Sequence, residues 1–235
     1  ARKAGNSIRV CLEELKEAGL GSLPGTSAEI LDDQLRAKLS PRRISAGLWA
    51  EVISTAHDLG LPTTATIMYG HVEQPGHRVR HLLLLRKLAL RSRAFTEFVP
   101  LSFVSSALPT RRQPRLVRNL TIPDILKMHA VARLALHRVI PNIQVSWVKE
   151  GPVVAQLCLR AGANDLGGTL ISERISSSAG SQHGQMMTPA QLRACIRAAG
   201  FVPAQRNTLY RILSRFDDPL EDPVDPLDKA FPTAS

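Results

Sequence analysis

Four short segments hold most of the residues whose types could do chemistry: Gly25-Thr26-Ser27-Ala28-Glu29, Gly70-His71-Val72-Glu73, Trp147-Val148-Lys149-Glu150-Gly151 and Gly162-Ala163-Asn164-Asp165-Leu166-Gly167-Gly168-Thr169. Each combines glycine, which lets backbone N–H groups approach an anion without a Cβ in the way, with side chains able to hydrogen-bond or carry charge. The same residues also make plain turns; it is their recurrence after successive strands that points to a site. His71, alone on such a loop, could bind a ligand or shuttle a proton. His77 and His81 stand four apart on a probable helix near Glu73, but the H-E-x-x-H pattern of a zinc site is absent and no metal ligation is expected. Cys11, Cys158 and Cys195 are far apart and odd in number, which excludes a disulfide framework and fits a reducing, cytoplasmic setting, an organelle being compatible. No G-x-S-x-G elbow, Walker loop or G-x-G-x-x-G follows a strand, so serine hydrolase, P-loop and dinucleotide readings fall.

These loops need a scaffold, and the composition allows one. The 235 residues are 44% hydrophobic and 21% charged, enough apolar material for a packed core. The longest unbroken apolar run is Leu82 to Leu85, far below the roughly 20 residues of a membrane-spanning helix, so no membrane association is expected. The formal charge is +10, yet the arginines are scattered and aromatics are only 4%, so a nucleic-acid partner is not expected. The chain opens at Ala1 with no leader pattern and reads as a piece of something longer.

Apolar periodicity orders the elements. Helices are predicted over 8–20, 28–39, 45–59, 76–92, 121–139, 152–160 and 189–200. Strands are predicted over 63–69, 95–103 and 142–148, with short extended pieces at 22–24 and 165–171. The stretch 104–120 reads as a long arginine-rich loop. Residues 216–235 carry six acids and four prolines, and read as a disordered acidic tail behind a domain spanning 1–215. Alternating strands and helices imply a parallel sheet covered by helices. About five such units are present against the eight of a closed barrel. The fold class is therefore α/β: a partial (β/α) TIM-type barrel, roughly its last five units, with a C-terminal helical extension and the tail.

Ser22-Leu23-Pro24-Gly25-Thr26-Ser27-Ala28-Glu29-Ile30-Leu31, Thr64-Ala65-Thr66-Ile67-Met68-Tyr69-Gly70-His71-Val72-Glu73 and Thr96-Glu97-Phe98-Val99-Pro100-Leu101-Ser102-Phe103 resemble the later barrel strands of radical S-adenosylmethionine (SAM) enzymes. The resemblance is to the branch holding FO synthase and two futalosine-pathway menaquinone enzymes. Gly162 to Leu170, followed by Glu173, Ile175 and Ala179-Gly180, is most similar to the FO synthase subunit acting on tyrosine, and Pro203 to Tyr210 resembles the branch's C-terminal signature.

The resemblance implies that a [4Fe-4S] cluster cleaves SAM, that the resulting radical attacks tyrosine, and that its hydroxybenzyl group joins 5-amino-6-ribitylaminouracil, building the deazaflavin chromophore of coenzyme F420. It implies SAM contacts at Glu29, Thr66, Met68, Gly70 and Glu73, and a substrate pocket of Tyr69, His71, Trp147, Asn164, Asp165 and Thr169. The family's C-x-x-x-C-x-x-C loop has no counterpart here, so the cluster ligands are expected in a missing N-terminal half or a partner subunit, and this chain alone is expected to be inactive. The alternatives are a menaquinone-pathway enzyme of the same branch and a cluster-less, non-catalytic basic module.

Overall fold

The computed structural model describes residues 5–39, 41–103, 120–171, 174, 183 and 186–231. The predicted 104–120 loop, apart from Leu120, lies outside them, as do Glu173, Ile175, Ala179 and Gly180. The chain runs through α1 (Ile8–Glu17), α2 (Asp33–Leu39), α3 (Ala46–Asp58), β1 (Thr63–Tyr69), α4 (Pro75–Ser92), β2 (Phe95–Ser102), α5 (Ile122–Leu136), β3 (Asn142–Ile143), α6 (Trp147–Glu150) and α7 (Pro152–Arg160). It continues through α8 (Pro189–Ala198), a hairpin of β4 (Ala204–Arg206) and β5 (Ile212–Arg215), a 3-10 turn at Pro219–Glu221, and α9 (Pro226–Ala230).

The sheet is parallel and its neighbours follow chain order, β1-β2-β3. Single parallel bridges, Leu23 to Thr63 and Gln144 to Asp165, extend the pairing at either edge. Such connections need helical crossovers, and α4 and α5 supply them. Along β1, Thr63, Ala65, Ile67 and Tyr69 are buried while Thr64, Thr66 and Met68 are half-buried, so one face is packed and the other more open. The packed face joins Ile67, Phe98 and Ile143 to Leu82, Leu85 and Ala89 of α4 and to Met128, Ala132 and Leu136 of α5. A second core, with Val145, Trp147, Ala155, Cys158, Leu166 and Cys195, lies under α7 and α8. Capping boxes at Thr121/Asp124 and Thr188/Gln191 start α5 and α8 by satisfying N–H groups that a first helical turn leaves unpaired.

The structure departs from the sequence reading at four places. The 28–39 helix begins only at Asp33, because Ser27 and Glu29 adopt left-handed φ values of 61° and 36°. The 142–148 strand makes only a two-residue ladder and turns into α6 at Trp147, whose indole is buried in the second core. The helical extension also holds an antiparallel hairpin, β4–β5, that the periodicity did not indicate. The disordered-tail reading is corrected over its described part, because the acids dock on a basic helix face. Asp222 accepts from Arg193 Nε at 2.9 Å and Arg197 Nη1 at 2.7 Å, and Asp228 caps Ala190 N at 2.9 Å. No described helix is long and apolar enough to cross a membrane.

Candidate functional site

The end of β1 is built by one carboxylate. Glu73 accepts Gly70 N–H at 2.7 Å and His71 N–H at 2.9 Å, and Arg78 Nε reaches its Oε1 at 2.7 Å. Gly70 bends the chain at φ 93°, with Leu120 packed where a Cβ would stand. Burial opposes ionisation of Glu73. The His71 ring, the Gly70 N–H and the Arg78 charge overcome it and bring the carboxyl down to about 2. The His71 ring lies with Nε2 3.0 Å from Met68 O and Nδ1 3.0 Å from Glu73 Oε2. Val72 N–H also points to its Nδ1, at 2.8 Å. Glu73 and His71 therefore fix the turn rather than present free groups.

The loop before α2 lies against this turn. Glu29 O accepts Met68 N–H at 2.9 Å, and Thr66 Oγ1 donates to Gly25 O at 2.9 Å. Gly25 is obligatory there, since a Cβ would stand 1.8 Å from Thr64 O. The buried Arg36 guanidinium ties the loop by donating to Ala28 O, Ser27 O and Ile44 O. The Glu29 carboxylate lies 3.6 Å from Arg43 and 3.9 Å from Arg36, and its Oε2 is buried without a hydrogen-bond partner. Of the five expected SAM contacts it alone keeps such an atom.

Beside β3 a cavity of about 960 Å³ is lined by Gln144, Trp147, Asp165, Thr169, Arg206 and Tyr210 among others. Trp147 Nε1 donates to Gly168 O at 3.0 Å, and Thr169 O accepts Met187 N–H at 3.1 Å. Asp165 is clamped by Arg206 through Nε at 2.5 Å and Nη2 at 2.9 Å, and it accepts Gly167 N–H at 2.6 Å. Gln144 Nε2 lies 3.4 Å from Asp165 Oδ1 and 3.1 Å from Glu97 Oε2. Glu97 also accepts the Tyr210 hydroxyl, and the Arg206 guanidinium stacks 3.9 Å from the Tyr210 ring centre. Burial pushes the Glu97 carboxyl up, opposed by the Tyr210 hydrogen bond, and burial likewise pushes the Tyr210 phenol up.

The structure thus brings Glu29, Thr66, Met68, Gly70, His71 and Glu73 together at one strand end, and Trp147, Asn164, Asp165 and Thr169 around the cavity. It separates one residue from them. Tyr69 points into the helix-packed core, its hydroxyl buried without a partner and Arg78 5.1 Å over its ring, because strand alternation puts it opposite Thr66 and Met68. Asn164, which also lines the cavity, accepts Ile143 N–H and Arg133 Nη2, both at 2.8 Å, and fastens the entry to β3. Sequence reasoning missed Glu97, Gln144, Arg206 and Tyr210 as one group; the single acid inside the apolar strand 95–102 was the available signal.

The cysteines do not fit a [4Fe-4S] cluster. Cys158 and Cys195 are buried in the second core and Cys11 sits on α1; among the described residues no group of three or more His, Cys, Asp or Glu is placed to hold a metal. Burial pushes the Cys158 thiol up to about 12, which disfavours the thiolate a ligand needs.

The family model described as CofH/MqnC C-terminal region matches residues 92–218. A protein of Archaeoglobus fulgidus named 5-amino-6-(D-ribitylamino)uracil--L-tyrosine 4-hydroxyphenyl transferase is 50% identical over 213 residues, 91% of this chain and 61% of that protein. One of the same name from Methanothermobacter thermautotrophicus is 48% identical over 211 residues, 90% and 58% respectively. The chain thus spans about 60% of the length of these relatives. HydG, a maturase of the [FeFe]-hydrogenase, shares the fold with a TM-score of 0.62 at 13% identity, covering 87% of this chain and 44% of that one.

Proposed function

We propose, from the premise that the chain belongs to the CofH/MqnC C-terminal region family, that it is the later part of a radical SAM 4-hydroxyphenyl transferase of the FO synthase type, active in the cytoplasm. The substrates of the complete protein are tyrosine and 5-amino-6-(D-ribitylamino)uracil, as the name of the relatives at 48–50% identity states for them. The parallel sheet, with neighbours in chain order and single bridges at both edges, supports a partial (β/α) barrel of about five units. The remaining units, with the cluster ligands, belong to a missing N-terminal half or a partner subunit.

The observation that carries the reading is the joined strand end: a turn locked by Glu73, and beside it the buried Glu29 Oε2 without a hydrogen-bond partner. SAM, when bound, supplies the one-electron chemistry of this enzyme class. Glu29 is suited to accept from its ribose or amino group, with Thr66, Met68 and Gly70 standing beside it at the strand end. Trp147 walls the substrate side, and Thr169 and the Gly167-Gly168 backbone offer polar groups there.

The test is an anaerobic assay of the complete protein with SAM, tyrosine and the ribitylaminouracil. Formation of the coupled product with consumption of SAM supports the reading; no turnover of this pair, with turnover of a futalosine-type substrate, overturns it. E29Q is expected to raise the KM for SAM while leaving the fold intact.

A further inference from the structure

The Gln205-Arg206-Asn207-Thr208-Leu209-Tyr210 stretch, on the C-terminal hairpin, reaches back to residues 41 and 113 positions earlier, Asp165 and Glu97. Five side chains close a ring. Glu97 accepts from Tyr210 and Gln144, Gln144 also reaches Asp165, Asp165 accepts from Arg206, and Arg206 stacks on Tyr210. Asp165 Oδ1 takes three of these contacts, from Gly167 N, Arg206 Nη2 and Gln144 Nε2, and Oδ2 takes Arg206 Nε. A carboxylate so occupied has little capacity left for a substrate. What it does hold is its own loop: the bond to the N–H of Gly167, itself at φ 76° with Gln144 3.3 Å from where its Cβ would stand, sets the bend that leads to Gly168 and Thr169. The Trp147 indole holds the far side of that bend through Gly168 O.

We infer that Arg206 is a positioning residue: its bidentate grip on Asp165 fixes the 165–169 loop along the cavity wall, and Tyr210, held by Glu97, keeps the guanidinium in register. Planar, two-pronged contact is what an arginine gives and a lysine does not. The inference rests on the transferase reading only in taking that loop as a substrate wall, which makes Arg206 a remote determinant of substrate KM.

Amide hydrogen exchange on the complete protein separates the two. In R206A the Gly167 amide is expected to exchange on the order of tenfold faster or more, in R206K by less, and in Y210F by less again, while Ala65 and Ile67 in β1 keep wild-type protection. With activity present, R206K raises the KM of one substrate by about tenfold and changes kcat less. Unchanged exchange at Gly167 in R206A overturns the inference whatever the activity. Equal acceleration in β1 overturns it too, since Arg206 would then be a general brace. A complete protein that turns over neither substrate overturns the transferase reading and leaves the exchange measurement to decide this one.

Discussion

Replacing Glu73 with Gln keeps the shape of the side chain and removes the charge around which the β1 turn is organised. The wild-type carboxylate has no solvent-exposed side-chain surface and takes donors from Gly70 N, His71 N and Arg78. Its pKa of about 2, against 4.5 for an unperturbed Glu, states how strongly the folded protein prefers the charged form. That gap corresponds to about 3 kcal/mol at ~1.4 kcal/mol per unit. The sign follows from linkage. Because the folded pKa is depressed, the contribution is fully present above pH 4.5 and is lost as pH falls through about 2. Glutamine also turns an amide donor toward N–H groups that had an acceptor, which adds to the cost. Urea unfolding of wild type and E73Q should therefore differ by about 3 kcal/mol at pH 7, and the difference should shrink toward zero between pH 4.5 and pH 2. A difference below about 0.5 kcal/mol at pH 7, or one that does not change with acid, would refute the reasoning, because Glu73 would then be an ordinary surface carboxylate.

Gly25→Ala drives a methyl group to 1.8 Å from the Thr64 carbonyl and should cost about 3 kcal/mol or more by thermal or denaturant unfolding; a near-neutral effect would mean the first edge pairing is not formed. In native protein at pH 8, alkylation should reach the half-exposed Cys11, while Cys158, with its thiol near 12, and the buried Cys195 react only on unfolding; quantitative mass spectrometry of the three peptides decides. Asp222→Ala removes the acceptor shared by Arg193 and Arg197 and should open residues 216–231 to limited proteolysis while leaving α4 and α5 protected; unchanged cleavage would show that the acids do not dock the segment.

Local signals carried the elements whose sequence and burial share a period. Thr63 to Tyr69 was legible as a strand because its β-branched run is bounded by Pro62 and Gly70, and Pro152 to Arg160 as a helix because proline suits a first helical turn. The 142–148 strand was overextended because a buried apolar run looks the same as a strand or as the entry to a core helix. The β4–β5 hairpin was illegible because β5 is exposed along its length and shows no alternation. What holds the hairpin is a set of polar contacts to residues far off in sequence, which no window of a dozen residues contains.

The site shows the same limit from another side. Asn164 and Asp165 stand next to each other in a glycine-rich loop and drew the same reading, yet pairing across the sheet gives them opposite neighbours. Asn164 spends its side chain on the backbone of β3 and on Arg133, whereas Asp165 turns its carboxylate to Arg206 and Gly167, although both line the cavity. Tyr69 and Met68 differ by one residue and fall on opposite faces of β1 for the same reason. Residue type and loop position pointed to the strand ends, but the one-residue parity of a parallel ladder decides which of Met68 and Tyr69 faces the helices, and that parity becomes visible only once Thr64, Glu97 and Asn142 are seen level with one another.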